Sequence, residues 1–315
     1  MRELKFDLNI DANALLAPNP TEFYSRAYIS DDVQGNFRLV PGVKYKTKLA
    51  RTEFDRVLYA SKCKFEDIAD NNLDAMDIDV CAVSALAEIC QFDAEQAFFS
   101  SAIAPGSNHA NFTPQMFMAH YWEALSEKIQ EEVALIRWQG DTDLPTSGAT
   151  GFLGECDGLE KKIDAATGVT EITGATNITN SNVIAEMSRV YNGLPNALKH
   201  KTRDLRFYVS ANVGAAYLEA VAQNNTILYT TMNPELTWLG RIKIVVQEGM
   251  SDDTMVLTRH QNLIYAFDAI GDGDNLKAVN LTETVAEPTL RTRANLKIGF
   301  YIAEGLEHEI VFYQA

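Results

Sequence analysis

Long apolar runs are missing from this chain: no stretch approaches the ~20 consecutive apolar residues that cross a bilayer, so a membrane-spanning helix is excluded. The N-terminus, Met1-Arg2-Glu3-Leu4-Lys5-Phe6-Asp7-Leu8, alternates charged with apolar residues and lacks the continuous apolar core of a signal peptide. Cysteine is scarce, with four residues (Cys63, Cys81, Cys90, Cys156) and no C-x-x-C pair. Their apolar neighbours predict buried, reduced thiols of a cytosolic protein rather than a zinc site or a disulfide framework. Positive charge is also short, with 27 Lys and Arg against 43 Asp and Glu and a net charge of −16, the wrong sign for gripping phosphate backbones over a whole surface. A local basic patch is not excluded. Neither a G-x-S-x-G elbow nor a Walker G-x-x-x-x-G-K is present, and the five histidines fall in no metal-ligand spacing.

What remains is a chain of 315 residues, 46% hydrophobic and 22% charged, which is ample to bury a core and far from the composition of disorder. Residues 9–34 are rich in Asn, Asp and Pro and predict an extended arm with neither helix nor strand. Phe23, Tyr24, Tyr28 and Ile29 are too apolar to be left in water, so the arm is expected to lie on a partner subunit. Val43, Tyr45, Thr47 and Leu49 then alternate with Lys44, Lys46 and Lys48, a strand with three ammonium groups on one face. Residues 37–64 hold eight basic residues, among them Arg51 and Arg56, and two acids. Residues 65–99 invert this with nine acids, including Asp67, Asp70 and Asp74, and no Lys or Arg. Adjacent blocks of opposite sign predict complementary surfaces, either folded together or presented to neighbouring copies.

Thr113-Pro114 is a helix start, and Met118, Tyr121, Trp122, Leu125, Ile129, Val133 and Ile136 recur at spacings of three and four until Gly140. This predicts a spine helix over 114–139, followed by a turn-rich crossing over 141–158. Short strand edges are expected at 171–173 and 177–179. Residues 181–284 alternate helical and strand patterns and predict a compact α/β module. Leu290, Thr292, Ala294, Leu296, Ile298, Phe300 and Ile302 keep strict period two, a strand of about thirteen residues on which 310–313 is expected to pair back as a hairpin.

Chemistry-bearing clusters are few. Glu307-His308-Glu309 reads as exposed hairpin polarity, since neighbours on a strand alternate faces. Gly271-Asp272-Gly273-Asp274-Asn275 with Asp268 spaces oxygen ligands like a calcium loop, but it lacks the closing Glu and reads as a turn. Gly148-Ala149-Thr150-Gly151 imitates a phosphate cradle without a following base. No catalytic, cofactor-binding or metal residue is assigned.

The order of parts resembles the major capsid protein of tailed bacteriophages, the Hong Kong 97-type fold. The stretch 36–49 with Pro41-Gly42-Val43-Lys44 looks like the start of that family's extended loop. Ile136-Arg137-Trp138-Gln139-Gly140-Asp141 and Cys156-Asp157-Gly158-Leu159 look like the spine-helix end and the segment after it. Residues 206–213 resemble the strand-to-helix step of the axial domain, and 290–300 the last long strand of the peripheral domain.

The resemblance implies an α+β chain with an N-terminal arm (1–35), an extended β-hairpin loop (36–64), a peripheral domain (65–180) with spine helix 114–139 and a long sheet, an axial domain (181–285) and returning peripheral strands (286–315). It implies a non-enzymatic shell subunit without cofactors, located in the virion capsid and assembled in the host cytoplasm. Its partners would be other copies of itself in hexamers and pentamers, a portal, and scaffold or decoration proteins. It would enclose double-stranded DNA without reading sequence and touch no membrane. Lys44, Lys46, Lys48, Arg51, Arg56, Phe23, Tyr24, Tyr28, Asp67, Asp70 and Asp74 are the expected inter-subunit contacts. The rival within the same fold is an encapsulin-type compartment shell. An α/β enzyme using Asp268, Asp272 and Asp274 is the rival from another class.

Overall fold

The computed structural model describes residues 20–54, 71–90, 114–148, 150–174, 177–200, 202–224, 236–238, 241–268, 276–281 and 289–315. Among these, two sheets share the work of the core, and a separate hairpin lies on one of them.

The first sheet is organised by β12 (Thr289–Ile302). One edge of β12 carries β4 (Cys81–Cys90) along ten residues, from Thr289↔Cys90 to Ile298↔Cys81. Its other edge carries β11 (Leu276–Asn280) and then β10 (Leu263–Phe267), on which β1 (Arg38–Pro41) lies parallel. The expected period-two pattern is seen directly: Leu290, Ala294, Leu296, Ile298 and Phe300 are buried while Arg291 and Arg293 are exposed. Register places Val83, Ala85 and Ile89 beside these inward residues, so one apolar face spans the strands.

That face is covered by α2 (Pro114–Gln139), 26 residues and ~39 Å long at 1.5 Å per residue. Met118, Trp122, Ile129 and Val133 point into the core, and Tyr121 shares a 2.6 Å hydrogen bond with Thr292. Among the described residues, no helix is long and apolar enough to cross a membrane.

The arm expected over residues 9–34 is instead helical over Pro20–Tyr28 and turns over the residues that follow. Helix α1 (Pro20–Tyr28) begins with proline in its first turn and has Glu22 near its start and Arg26 near its end, both favourable to the helix dipole. Phe23, Tyr24, Ala27 and Tyr28 fall on one face and are buried within the subunit. Phe23 meets Trp122 edge-on at 5.6 Å, and Tyr28 stacks on Phe267 at 5.2 Å. The Asn, Asp and Pro content of the sequence around it hides this short helical spacing from a reading by composition.

The second sheet runs β5-β13-β9-β6-β8-β7, with β5 Thr170–Thr173, β6 Leu205–Val209, β7 Thr237–Trp238, β8 Ile242–Val246, β9 Thr254–Arg259 and β13 Val311–Gln314. Helices α4 (Val183–Gly193) and α6 (Ala211–Asn224) cover one face, packing Val183, Met187, Val190, Val213 and Tyr217 against Phe207 and Leu257. The opposite face gives Tyr208, Val245, Val256 and Phe312 to the core under α2. A small helix, α3 (Leu159–Ala165), follows the crossing, and α5 (Asn196–Lys199) precedes β6.

Three expectations are corrected here. Residues 310–313 do not fold back on β12: β13 pairs with β5 and β9, because the Glu307–Glu309 turn redirects the chain into the other sheet. Strands β9 and β10, adjacent in sequence, belong to different sheets, so the α/β module of 181–284 sends β10 and β11 to the long sheet. Buried Asn262 in the connecting turn donates to Thr258 and Glu309 at 3.0 Å and accepts from the Ala303 amide at 2.9 Å, which fixes the switch. Residues 177–179 are irregular rather than a strand edge, and the Ile178 amide bonds the Asp253 carboxylate at 3.0 Å.

Candidate inter-subunit contact site

The charged blocks meet in a hairpin, β2 (Lys46–Phe54) against β3 (Asn71–Asp79). Each strand has period two. Lys46 and Lys48 stand opposite Asp79 and Asp77, while Leu49 and Thr47 stand opposite Met76 and Ile78. Lys46 Nζ lies 3.1 Å from Asp77 and 3.8 Å from Asp79, and these carboxylates raise its pKa. Arg51 stands opposite Asp74 in the register and donates to the Glu304 carbonyl. The described halves of the two blocks are therefore folded together in one chain, with Lys46 paired to both Asp77 and Asp79. Arg56, Asp67 and Asp70 lie outside the described residues. Lys44, just before β2, is exposed.

The apolar face of the hairpin decides where it sits. Met76 and Ile78 are buried with Val43, Ile264, Ala266 and Ala303, so β10 is covered on both faces, by the core on one side and by the hairpin on the other. The seat is built at β12. Tyr301 donates its hydroxyl to the Asp79 carbonyl and accepts the Asp79 amide, both at 2.9 Å. Gly299 makes the approach possible, since a Cβ there would stand 2.5 Å from the Asp79 carbonyl oxygen. Lys162 of α3 lies 3.7 Å over the Tyr301 ring and donates to the Phe300 carbonyl. Burial brings its pKa down to about 8, against the pull of the Asp157 and Asp79 carboxylates. Tyr45, 78% exposed, flanks this root, with the Lys297 ammonium 4.6 Å from its ring centroid.

The expected reduced thiols are corrected at the same place: Cys81 and Cys156 form a disulfide, their Cα atoms 5.9 Å apart across 75 residues. Neither spacing nor composition signals this pairing, which exists because β4 runs beside the crossing that follows α2. Cys90 is a free thiol, and Cys63 lies outside the described residues.

Of the other expected contacts, Phe23, Tyr24 and Tyr28 are spent inside their own subunit. Asp268, taken as one member of a calcium-like loop, is buried with the Lys297 ammonium 3.4 Å away, while 271–275 lie outside the described residues. Glu309, expected to be exposed, is buried and paired with Arg259. Asp141, Asp143 and Asp157 converge on the Lys161 ammonium at 2.5, 2.9 and 2.9 Å. Burial opposes ionisation of Asp157, but bonds from Thr142 and Lys161 outweigh it and hold its pKa at about 2. Among the described residues, no cluster of His, Cys, Asp and Glu is arranged to hold a metal ion.

Comparison with known proteins separates sequence from fold. No family model and no curated protein matches the sequence. Solved structures do match. A chain of the satellite phage P4 procapsid including size determination (Sid) protein superposes with a TM-score of 0.55 at 11% identity, over 93% of this chain and 96% of that one. The capsid of a native GTA particle matches with a TM-score of 0.53 at 12% identity, over 90% of each chain. Gordonia phage Cozz gives 0.51 at 9% identity, over 90% of this chain and 85% of that one. The mixed helix-and-sheet architecture described above matches the fold of these capsid chains.

Proposed function

We propose that this chain is a major capsid protein that self-assembles into the icosahedral head shell of a tailed phage. The carrying observation is that capsid chains match at least nine-tenths of its length in fold. In this reading the first sheet with α1, α2 and α3 is the peripheral domain of a Hong Kong 97-type subunit. The second sheet with α4 to α6 is the axial domain, and β2–β3 is the extended loop. The role is structural and non-enzymatic.

Charge supports the same reading. A chain of −16 forms a wall that confines double-stranded DNA without gripping it. The exposed lysines at the hairpin, Lys44, Lys46 and Lys48, give it a basic surface that suits acidic surface on neighbouring copies, in a contact that weakens as salt rises. Portal, scaffold and decoration proteins are the further partners this reading implies.

The test is the mass of the purified full chain by size-exclusion chromatography with light scattering, combined with negative-stain microscopy. Pentamers, hexamers and megadalton shells are expected, and a monomer or small discrete oligomer under all assembly conditions overturns the reading. Shells that enclose a protein cargo rather than DNA in infected or producing cells replace it by the encapsulin-type reading. Assembly unaffected by Lys44, Lys46 and Lys48→Glu removes the hairpin contact while leaving the shell.

A further inference from the structure

We propose that Cys81 and Cys156 are a redox-closed staple at the hairpin root, entered by small-molecule disulfides through Cys81 and resolved by Cys156. Cys81 is the first residue of β4, fixed opposite Ile298, and only Val80 separates it from Asp79 at the end of the hairpin. Cys156 follows the 3-10 turn Gly151–Glu155 and precedes α3. Their 5.9 Å Cα separation lies inside the range a disulfide spans without backbone movement.

The non-covalent links at this junction hold the two sulfurs together whether or not the bond is made. Tyr301 grips both polar atoms of the Asp79 backbone, and Lys162, on the helix just after Cys156, caps Tyr301. The Val80 amide adds a hydrogen bond to the Tyr45 carbonyl at 3.0 Å. The reduced chain therefore presents a preorganised dithiol.

Burial sets the order of events. Cys156 is 1% exposed and Cys81 is only partly covered, so an external disulfide reaches Cys81 first. The Cys81 thiolate attacks the small-molecule disulfide, forming a mixed disulfide and releasing one thiol. The Cys156 thiolate then attacks the Cys81 sulfur, closing the staple and releasing the second thiol. The two protons of the dithiol end on the two released thiols, and the two electrons reduce one small-molecule disulfide to those thiols. A reducing cytosol keeps the pair open, and an oxidising medium closes it. That the closed form marks the shell after its release from the cell rests on the proposed function above; the staple itself belongs to one subunit.

The experiment uses the full chain with Cys63→Ser and Cys90→Ser, purified under reductant, transferred to oxidised glutathione, quenched by alkylation and mapped by mass spectrometry. A Cys81–Cys156 linked peptide is expected, with Tm raised by about 5–10 °C over the same chain in reductant. Adding Cys156→Ser should trap glutathione on Cys81. Adding Cys81→Ser should leave Cys156 a free thiol until the chain unfolds, and alanine at either position provides the check if serine impairs folding. Absence of the linked peptide, glutathione on Cys156 in preference to Cys81, or closure without a change in Tm overturns the staple. None of these readouts depends on shell formation, which mass and microscopy decide separately.

Discussion

Arg137 donates from Nη2 to the Asp32 carboxylate at 2.6 Å, joining the last turn of α2 to the segment that follows α1. Both sit where the two sheets meet. The Asp32 carbonyl accepts from Gln247 at 3.3 Å, Gln247 in turn accepts from the Trp138 indole at 3.1 Å, and Tyr208 donates to the Asn36 carbonyl. The Arg137 guanidinium also lies 5.4 Å from the centre of the Phe37 ring, and burial pulls its pKa down against the opposing pull of Asp32. The N-terminal segment is thus the wedge that fixes one sheet against the other.

Removing the carboxylate strands a buried cation. Asp32→Ala is expected to cost about 3–5 kcal/mol, and Asp32→Ala with Arg137→Met to recover most of it. Urea-unfolding midpoints of the two variants check this; equal losses would show that the pair contributes packing alone.

Gly158 allows the crossing to touch the end of α2. Its amide donates to the Gly140 carbonyl at 2.7 Å, and a Cβ at 158 would stand 2.5 Å from the Trp138 carbonyl oxygen and 2.7 Å from that of Ile136. Both are backbone atoms, and the Gly140 amide nitrogen would also stand 2.7 Å away, so no rotamer change relieves the clash. Gly158→Ala is expected to destabilise by about 3 kcal/mol, read as a fall in Tm, while Gly148→Ala, where a Cβ would meet open space, pays only the strain of its positive φ.

Lys162 makes stability depend on alkaline pH. Its folded pKa of about 8 lies below the 10.5 of the unfolded chain, so between these values the unfolded state binds more protons. The penalty is full below pH 8 and is relieved as pH rises from 8 toward 10.5, a difference on the order of 2–3 kcal/mol. Lys162→Met abolishes that rise. Tm of wild type and variant, compared at pH 7 and pH 10, should therefore show the wild type gaining on the variant as pH increases.

The hairpin ion pairs are solvent-exposed and should weigh little on the fold. Lys46→Glu sets like charges beside Asp77 and Asp79, and a Tm loss of at most about 2 °C is expected, shrinking in high salt. Loss of the folded state would show instead that the cross-strand charges hold the hairpin.

The elements legible in the sequence are those whose period is long and uninterrupted. The α2 stripe and the β12 alternation each repeat one face often enough to fix type and extent, because a buried face must recur at the element's own period. Helix α1 escaped because it is nine residues long and follows a loop-like run. Of the contact site, the basic and acidic strands were legible as surfaces, but not as partners: charge pattern shows complementarity without saying whether the complement is in the same chain.

Sequence by itself therefore determined the spine helix, the long strand, the opposed charges of the hairpin and the exclusion of a spanning helix, since each follows from local period, spacing or composition. Only the tertiary structure decided that β13 leaves β12 for the second sheet, that Asp32 pairs with Arg137 and Glu309 with Arg259, that Phe23 and Tyr28 fill their own subunit, and that Cys81 meets Cys156. Each of these joins residues far apart in the chain, and such meetings are fixed by how the sheets and helices pack against one another, which no local pattern encodes.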